Sequence, residues 1–226
     1  MYLPAHFEET ELAVMHALMR AHPLGTLVIQ GSAGLVADHL PFLLDTEGGG
    51  PGILLAHVAR ANALWREALA GHDAAMVLFQ GPSAYVSPNF YPSKTETHRV
   101  VPTYNYSAVH AWGRITVRDD ARWLRGLLAR LTRRFEADGQ AQALQPWRIG
   151  DAPADFIEAQ LQNIVGIEIA IERMEGKAKM SQNRSDGDRR GVIEGLRHRA
   201  QSEDGAVAEE VERRLQRDRR GPPRDR

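Results

Sequence analysis

The chain has 226 residues, 43% apolar and 25% charged, with a formal net charge of -1; this ordinary globular composition excludes broad electrostatic capture of nucleic acid or of an anionic membrane. It contains no cysteine, which rules out disulfides, thiolate catalysis and cysteine-ligated zinc. No apolar run reaches transmembrane length, and the opening MYLPAHFEET lacks the basic and apolar regions of a signal peptide, so no membrane partner and a cytoplasmic location are expected.

TELAVMHALMRAHP predicts a helix with Leu12, Met15, Leu18 and Met19 on one face, Thr10 as N-cap and Pro23 just past its end. GTLVIQGSAGLVADHLPFLLD predicts two strands around a Gly-Ser-Ala-Gly turn, with Pro41 marking an edge or a bulge. ILLAHVA reads as a strand and ARANALWREALAG as a turn into a helix. AAMVLFQ, continuously apolar, predicts a strand buried on both faces, and the Pro-rich GPSAYVSPNFYPSK an irregular segment. From Thr103 to Val117 a long strand is expected. One parity there is small (Thr103, Asn105, Ser107, Val109, Ala111, Gly113), and the other is aromatic and cationic (Tyr104, Tyr106, His110, Trp112, Arg114). DDARWLRGLLARLTRRFEADG predicts a helix capped by Asp119 or Asp120, with Trp123, Leu124, Leu127, Leu128, Leu131 and Phe135 as its apolar stripe. A shorter helix follows at DAPADFIEAQLQ. VGIEIAIERM sets Ile167, Ile169 and Ile171 against Glu168, Ala170 and Glu172, a strand with one wet face. Asn183 or Ser185 is placed to cap a helix after KAKMSQNRSDGDRRGV. From Arg199 the tail carries eight Arg and seven Asp or Glu in 28 residues. A surface helix over 206–217 and a disordered RRGPPRDR are expected there, giving a domain over 1–198 and a dispensable charged tail over 199–226. Helices inserted between hairpins suggest α+β with a mainly antiparallel sheet or barrel.

Three stretches are richer in polar groups than a structural role requires. In AHVARAN a strand ends, Arg60 follows, and a helix begins near Asn62. A helix N-terminus beside an Arg suits a phosphate, and the same residues also read as a cap with a surface Arg. YVSPNFYPSKTETHRVVPTYNY gathers aromatic, hydroxyl and amide groups between prolines. That suits a flat heteroaromatic ligand, or equally a loop packed by its own rings. KAKMSQNRSDGDRRGV offers Ser, Gln, Asn and Arg in succession, either for a ligand's polar rim or as a solvated loop before a helix.

Taken together these stretches resemble the PaiB-type FMN-binding negative transcriptional regulators. The likeness is carried by HFEE, ADHLPFLL, HVARAN, FQGPSAYVSPNFYPSK, VVPTYNYSAVHAWGR, APADFI, IVGIEI and KAKMSQNRSDGDRRGVIEGL, in order from residue 1 to about 196. Phe90 and Tyr104 stand where the family usually has Trp. The resemblance implies a split β-barrel with peripheral helices, akin to pyridoxamine phosphate oxidases, and a homodimer with FMN between subunits. With the polar stretches it nominates His39, His57, Arg60, Asn62, Tyr85, Ser87, Lys94, Thr103, Asn105, Ser181, Gln182 and Arg184 as cofactor-binding residues. A repressor role, and DNA as a partner, rest on the resemblance alone, since no helix-turn-helix signature is present. The other reading is a flavin-dependent oxidoreductase, with flavin supplying the redox chemistry. No general acid/base pair stands out for it; His57, His98 and His110 are the candidates.

Overall fold

Side-chain size on alternate residues organises the sheet. The structure, a computed structural model, describes residues 1–139 and 145–220. Its strands are β1 (Glu8–Glu9), β2 (Leu24–Gly31), β3 (Gly34–Pro41), β4 (Leu43–Asp45), β5 (Ile53–Ala59), β6 (Ala74–Val86), β7 (Thr103–Arg118) and β8 (Ile164–Lys179). They form one antiparallel sheet in the order β3-β2-β6-β7-β8-β5-β4, with β1 paired to β8. The order is a path with β3 and β4 at its ends. The structure therefore shows an antiparallel α+β sheet, and the expected barrel closure is not part of this pairing. The helices are α1 (Leu12–Ala21), α2 (Leu64–Leu69), α3 (Ser93–Thr97), α4 (Ala121–Gly139), α5 (Ala154–Leu161), α6 (Asp186–Arg199) and α7 (Asp204–Arg220).

On β7 the small parity is buried: Asn105, Ser107, Val109, Ala111, Gly113 and Ile115 face the interior, while Tyr106, His110 and Trp112 are half-buried and Tyr104 is exposed. The β2–β3 hairpin turns over Ser32 and Ala33, with Gly31 opposite Gly34, as its Gly-Ser-Ala-Gly run predicts. Two strand expectations need correction. AAMVLFQ is buried on one face only, with Ala75, Val77 and Phe79 inside and Met76 and Leu78 half-buried. The strand also continues through GPSAYV, where irregular chain was expected. Gly81 makes that continuation possible: a Cβ there would lie 2.3 Å from Ser107 Oγ, a distance only glycine avoids.

The chain forms two compact units: Met1–Leu18, Gln80–Val109 and Glu175–Arg226 in the first, Met19–Phe79 and His110–Met174 in the second. In the second unit, α4 and α5 bury Leu124, Ile157 and Leu161 with Trp123 packed beside them. Asp120, whose Oδ1 accepts from Trp123 N at 2.7 Å, caps α4. The first unit has its core in Val86, Tyr91, Met180, Val192, Leu196, Val207, Val211 and Leu215.

That core draws on residues beyond 199. Val207, Ala208, Val211 and Leu215 recur at helical spacing and form a buried stripe on α7. The charges that suggested a solvated tail occupy its other faces. Arg214 pairs with Glu9 at 2.8 Å and Glu210 at 2.6 Å, and both Arg214 and Glu9 are almost wholly buried. The rest of the expected disordered stretch, beyond Arg220, lies outside the described residues. Removing residues 200–226 is therefore expected to destroy the fold of the first unit. Arg214→Ala, which leaves buried Glu9 with only the more exposed Arg217 at 3.8 Å, should cost about 3 kcal/mol in denaturant melts. A truncated chain with an unchanged melting temperature would show that α7 is dispensable.

Candidate functional site

The ends of β7 and β8 in the first unit gather polar groups that no core needs. Asn105 is fully buried; its Nδ2 donates to Ser181 Oγ at 3.0 Å, and Ser181 Oγ donates back to Asn105 Oδ1 at 3.3 Å. Ser181 holds a left-handed backbone at φ 63°, a strain that L residues carry mostly where surrounding structure over-determines them. Lys179 donates to Thr103 Oγ1 and, at 2.8 Å, to the Tyr104 carbonyl. Tyr104 meets Tyr85 edge-on at 5.8 Å between ring centroids, and the two rings are 57% and 40% exposed. Lys177 is only 8% exposed; it donates to Tyr2 O at 2.9 Å and lies 5.3 Å from the Tyr106 ring centroid. The Arg184 guanidinium lies 4.9 Å from the Tyr91 centroid. Burial, then the neighbouring charges of Lys177 and Arg184, push the Lys179 ammonium below its ordinary pKa. Burial likewise pushes the Tyr91 phenol up.

Of the expected site residues, Tyr85, Thr103, Asn105, Ser181, Gln182 and Arg184 thus fall in one neighbourhood with Lys177, Lys179, Tyr91 and Tyr104. Gln182 is occupied by its own turn, accepting from Met180 N and donating to Ala178 O, both at 2.6 Å. Ser87 Oγ accepts from Asn89 N at 3.2 Å and so caps a short 3-10 turn, and Lys94 donates to Asn89 Oδ1. Ser185, one of the two proposed caps of α6, accepts from Asp188 N. Lys177 and Lys179 were missed, though the signal was present: two lysines at i and i+2 late in a strand pattern share one face.

His39, His57, Arg60 and Asn62 belong to the second unit. The Arg60 guanidinium is engaged on several sides. It forks onto Asp119 at 2.9 and 2.6 Å, and donates to Gln162 O at 2.7 Å and Ile164 O at 3.0 Å. The expected helix starts at Leu64, not Asn62. Asn62, one residue before the Ala63 cap position, accepts from Leu64 N on Oδ1 at 2.8 Å, and its Nδ2 donates to Asp38 at 3.1 Å. Six residues long, and with its first N–H already taken by Asn62, α2 is a short helix with little dipole to offer a phosphate. His57 is half-buried with no hydrogen-bond partner on Nδ1, and burial pushes its pKa down, favouring the neutral ring. His39 is exposed on β3. The other two histidine candidates are also placed: His98 ends α3 in a left-handed conformation, and His110 lies edge-on to Trp112 at 5.7 Å.

The half-open face of the sheet in the second unit is mainly apolar, with Gln30, Arg114 and Glu172 at its concavity as well. Val28, Ala74, Met76 and Trp112 line a concavity of ≈ 310 Å³ with Leu35, itself 77% exposed. Arg173 stacks on Trp112 at 3.6 Å. The arginines of α6 and α7 are largely compensated by carboxylates. Arg189 pairs with Asp218, Arg197 with Glu212, Arg199 with Asp204, Arg213 with Glu210, and Arg219 with Asp186. No helix among the described residues is long and apolar enough to cross a membrane.

Residues 1–173 match the profile of a family described as "Putative FMN-binding domain". The chain is 37% identical to an uncharacterized protein of Aspergillus fumigatus, over 87% of this chain and 90% of that one. It is 30% identical to the protease synthase and sporulation protein PAI 2 of Bacillus subtilis, over 95% of this chain and 98% of the relative. Among solved structures, the FAD and heme binding protein from Mycobacterium smegmatis superposes with a TM-score of 0.53 at 20% identity, covering 80% of this chain and 78% of that one.

Arg60→Gln is expected to lower the melting temperature at neutral pH by freeing Asp119 and two carbonyls. The Arg60 guanidinium holds the Asp119 carboxyl below its ordinary range. The pair's contribution is therefore full above that range and fades as pH falls through the depressed value. Melts of both proteins should accordingly converge in acid. A gap that persists at pH 2 would mean that the carbonyl bonds alone carry the effect.

Proposed function

Because the chain belongs to the PaiB-type family of FMN-binding domains, with FMN as its cofactor, we propose that the flavin is held by the Thr103–Asn105–Ser181–Lys179 neighbourhood of the first unit. The observation that carries this is the company Lys179 keeps. A half-buried ammonium sits among hydroxyl and amide donors, beside two exposed tyrosine rings. Hydroxyls and amides suit the hydrogen-bonding edge of a flat heteroaromatic ring, exposed aromatics suit its face, and cations suit its anionic end. Bound flavin supplies hydride and one-electron chemistry. Asn105 and Ser181 lock each other's rotamers, and Lys179 is pinned by Thr103 and the Tyr104 carbonyl, so the donors are set before a ligand arrives. Ser87 and Gln182 contribute by shaping their own turns.

We further propose a split-barrel homodimer that works through its flavin, as an oxidoreductase on a small molecule. The apolar face around Val28, Met76 and Trp112 is the sort of surface that partners cover. The regulator reading has the PAI 2 likeness behind it, and against it the carboxylates that neutralise the arginines of α6 and α7. DNA affinity comes chiefly from cations free to displace counterions.

Purified protein titrated with FMN should show flavin absorbance bound in one-to-one ratio with the chain, and anaerobic NADH or NADPH should bleach it. Salt-sensitive, sequence-selective DNA binding without such reduction would favour the regulator. Trp112→Glu should shift sedimentation from dimer to monomer, because a charge is placed on a face meant to be dry. A wild type that sediments as a monomer at micromolar concentration would refute the dimer.

A further inference from the structure

We infer that Lys177, Lys179 and Arg184 form the seat of a phosphomonoester dianion, and, resting on the flavin reading above, that its occupant is the phosphate of FMN and not a separate phosphorylated ligand. The argument is one of charge accounting. Across the first unit most buried or half-buried cations are matched by carboxylates: Arg214 by Glu9 and Glu210, Arg199 by Asp204, Arg189 by Asp218, and the N-terminal amine by Glu175; Lys94, a single cation on the Asn89 amide oxygen, stands apart from them. Lys177, Lys179 and Arg184 break the pattern. Among the described residues their partners are neutral: the Tyr2 carbonyl, the Thr103 hydroxyl and Tyr104 carbonyl, and the Tyr91 and Tyr106 rings. Like charges brought together away from water raise one another's energy, and a dianion relieves that repulsion.

Lys177 and Lys179 are two apart on β8, so they project from the same face. Arg184 follows at the end of the turn whose left-handed Ser181 sets its direction; its backbone N–H returns to Ser181 O at 3.0 Å. Two ammoniums and a fork of guanidinium donors match a phosphate's charge and its several acceptor oxygens. The neighbouring hydroxyl of Thr103 adds a neutral donor. Carboxylates are kept out of the turn between Lys177 and Ser185, which contains none. The Arg60 site in the second unit, by contrast, is already neutralised by Asp119.

The test uses the full-length protein freed of flavin, titrated with FMN, riboflavin and inorganic phosphate. Wild type should prefer FMN to riboflavin by about tenfold to a hundredfold, and phosphate should compete with FMN while leaving riboflavin untouched. Lys179→Met should erase the preference by weakening FMN alone, and Lys179→Arg should keep most of it. Should Lys179→Met fail to fold by circular dichroism, Arg184→Gln carries the same expectation. A preference that survives both substitutions, or a loss that strikes both flavins equally, overturns the seat. Equal binding of the two flavins with undiminished phosphate protection would assign the seat to a separate phosphorylated ligand and overturn the FMN assignment. If neither flavin binds, the functional reading falls. Thermal protection by phosphate, lost in Lys179→Met, would then keep an anion seat, and its absence would remove it.

Discussion

A methyl group at Gly113 would put its carbon 2.1 Å from the carbonyl oxygen of Ala170, and one at Gly81 would put it 2.3 Å from the hydroxyl of Ser107. Backbones that approach this closely admit only small side chains on the inward face of β7, and Asn105, Ser107, Val109, Ala111 and Gly113 obey. The aromatic residues are displaced to the opposite parity as a consequence. Tyr104 and Tyr106 then border the polar turn of the first unit, and His110 and Trp112 lie on the open sheet of the second. The side of β7 on which each of its rings lies follows from this one packing constraint, because alternation leaves a strand residue no third direction.

Charge follows a second rule. The protein carries many arginines, and nearly all of those on α6 and α7 are answered by a carboxylate a turn or a helix away. Exposed pairs of this kind contribute little to stability, but they flatten the surface potential. The lysine-rich end of β8 is therefore conspicuous by contrast. It is a small patch of positive potential, partly shielded from solvent, on a chain whose overall charge is near neutral.

Much of this was legible beforehand, for local reasons. Alternating Ile and Glu in β8, the Gly-Ser-Ala-Gly turn and the stripe of α4 are short-range patterns that the backbone must respect. So are the Asp120 and Ser185 caps. The PaiB-type motifs likewise pointed to a flavin before any coordinates. The features that the sequence does not announce come from interactions distant in sequence. Nothing near Arg60 announces that Asp119 will hold it. The apolar stripe of α7 is thin, one or two residues per turn, and lies hidden among charges whose partners, Glu9 and Asp186 among them, are far away in the chain. Pro82 suggested a break, yet the strand passes through it because a glycine beside it lets the next strand close in.

The first unit is assembled from three separate stretches, and its core includes Val207, Val211 and Leu215 near the end of the last. The second is complete in sequence by Met174. On a ribosome, which makes the chain from its N-terminus, the two therefore mature at different times. The second unit has all the residues of its own core before the first has received its final helix. Until α7 is synthesised, Glu9 waits near the start of the chain for an arginine that arrives some two hundred residues later. Any ligand that depends on the first unit's folded core must therefore wait for completion of the chain.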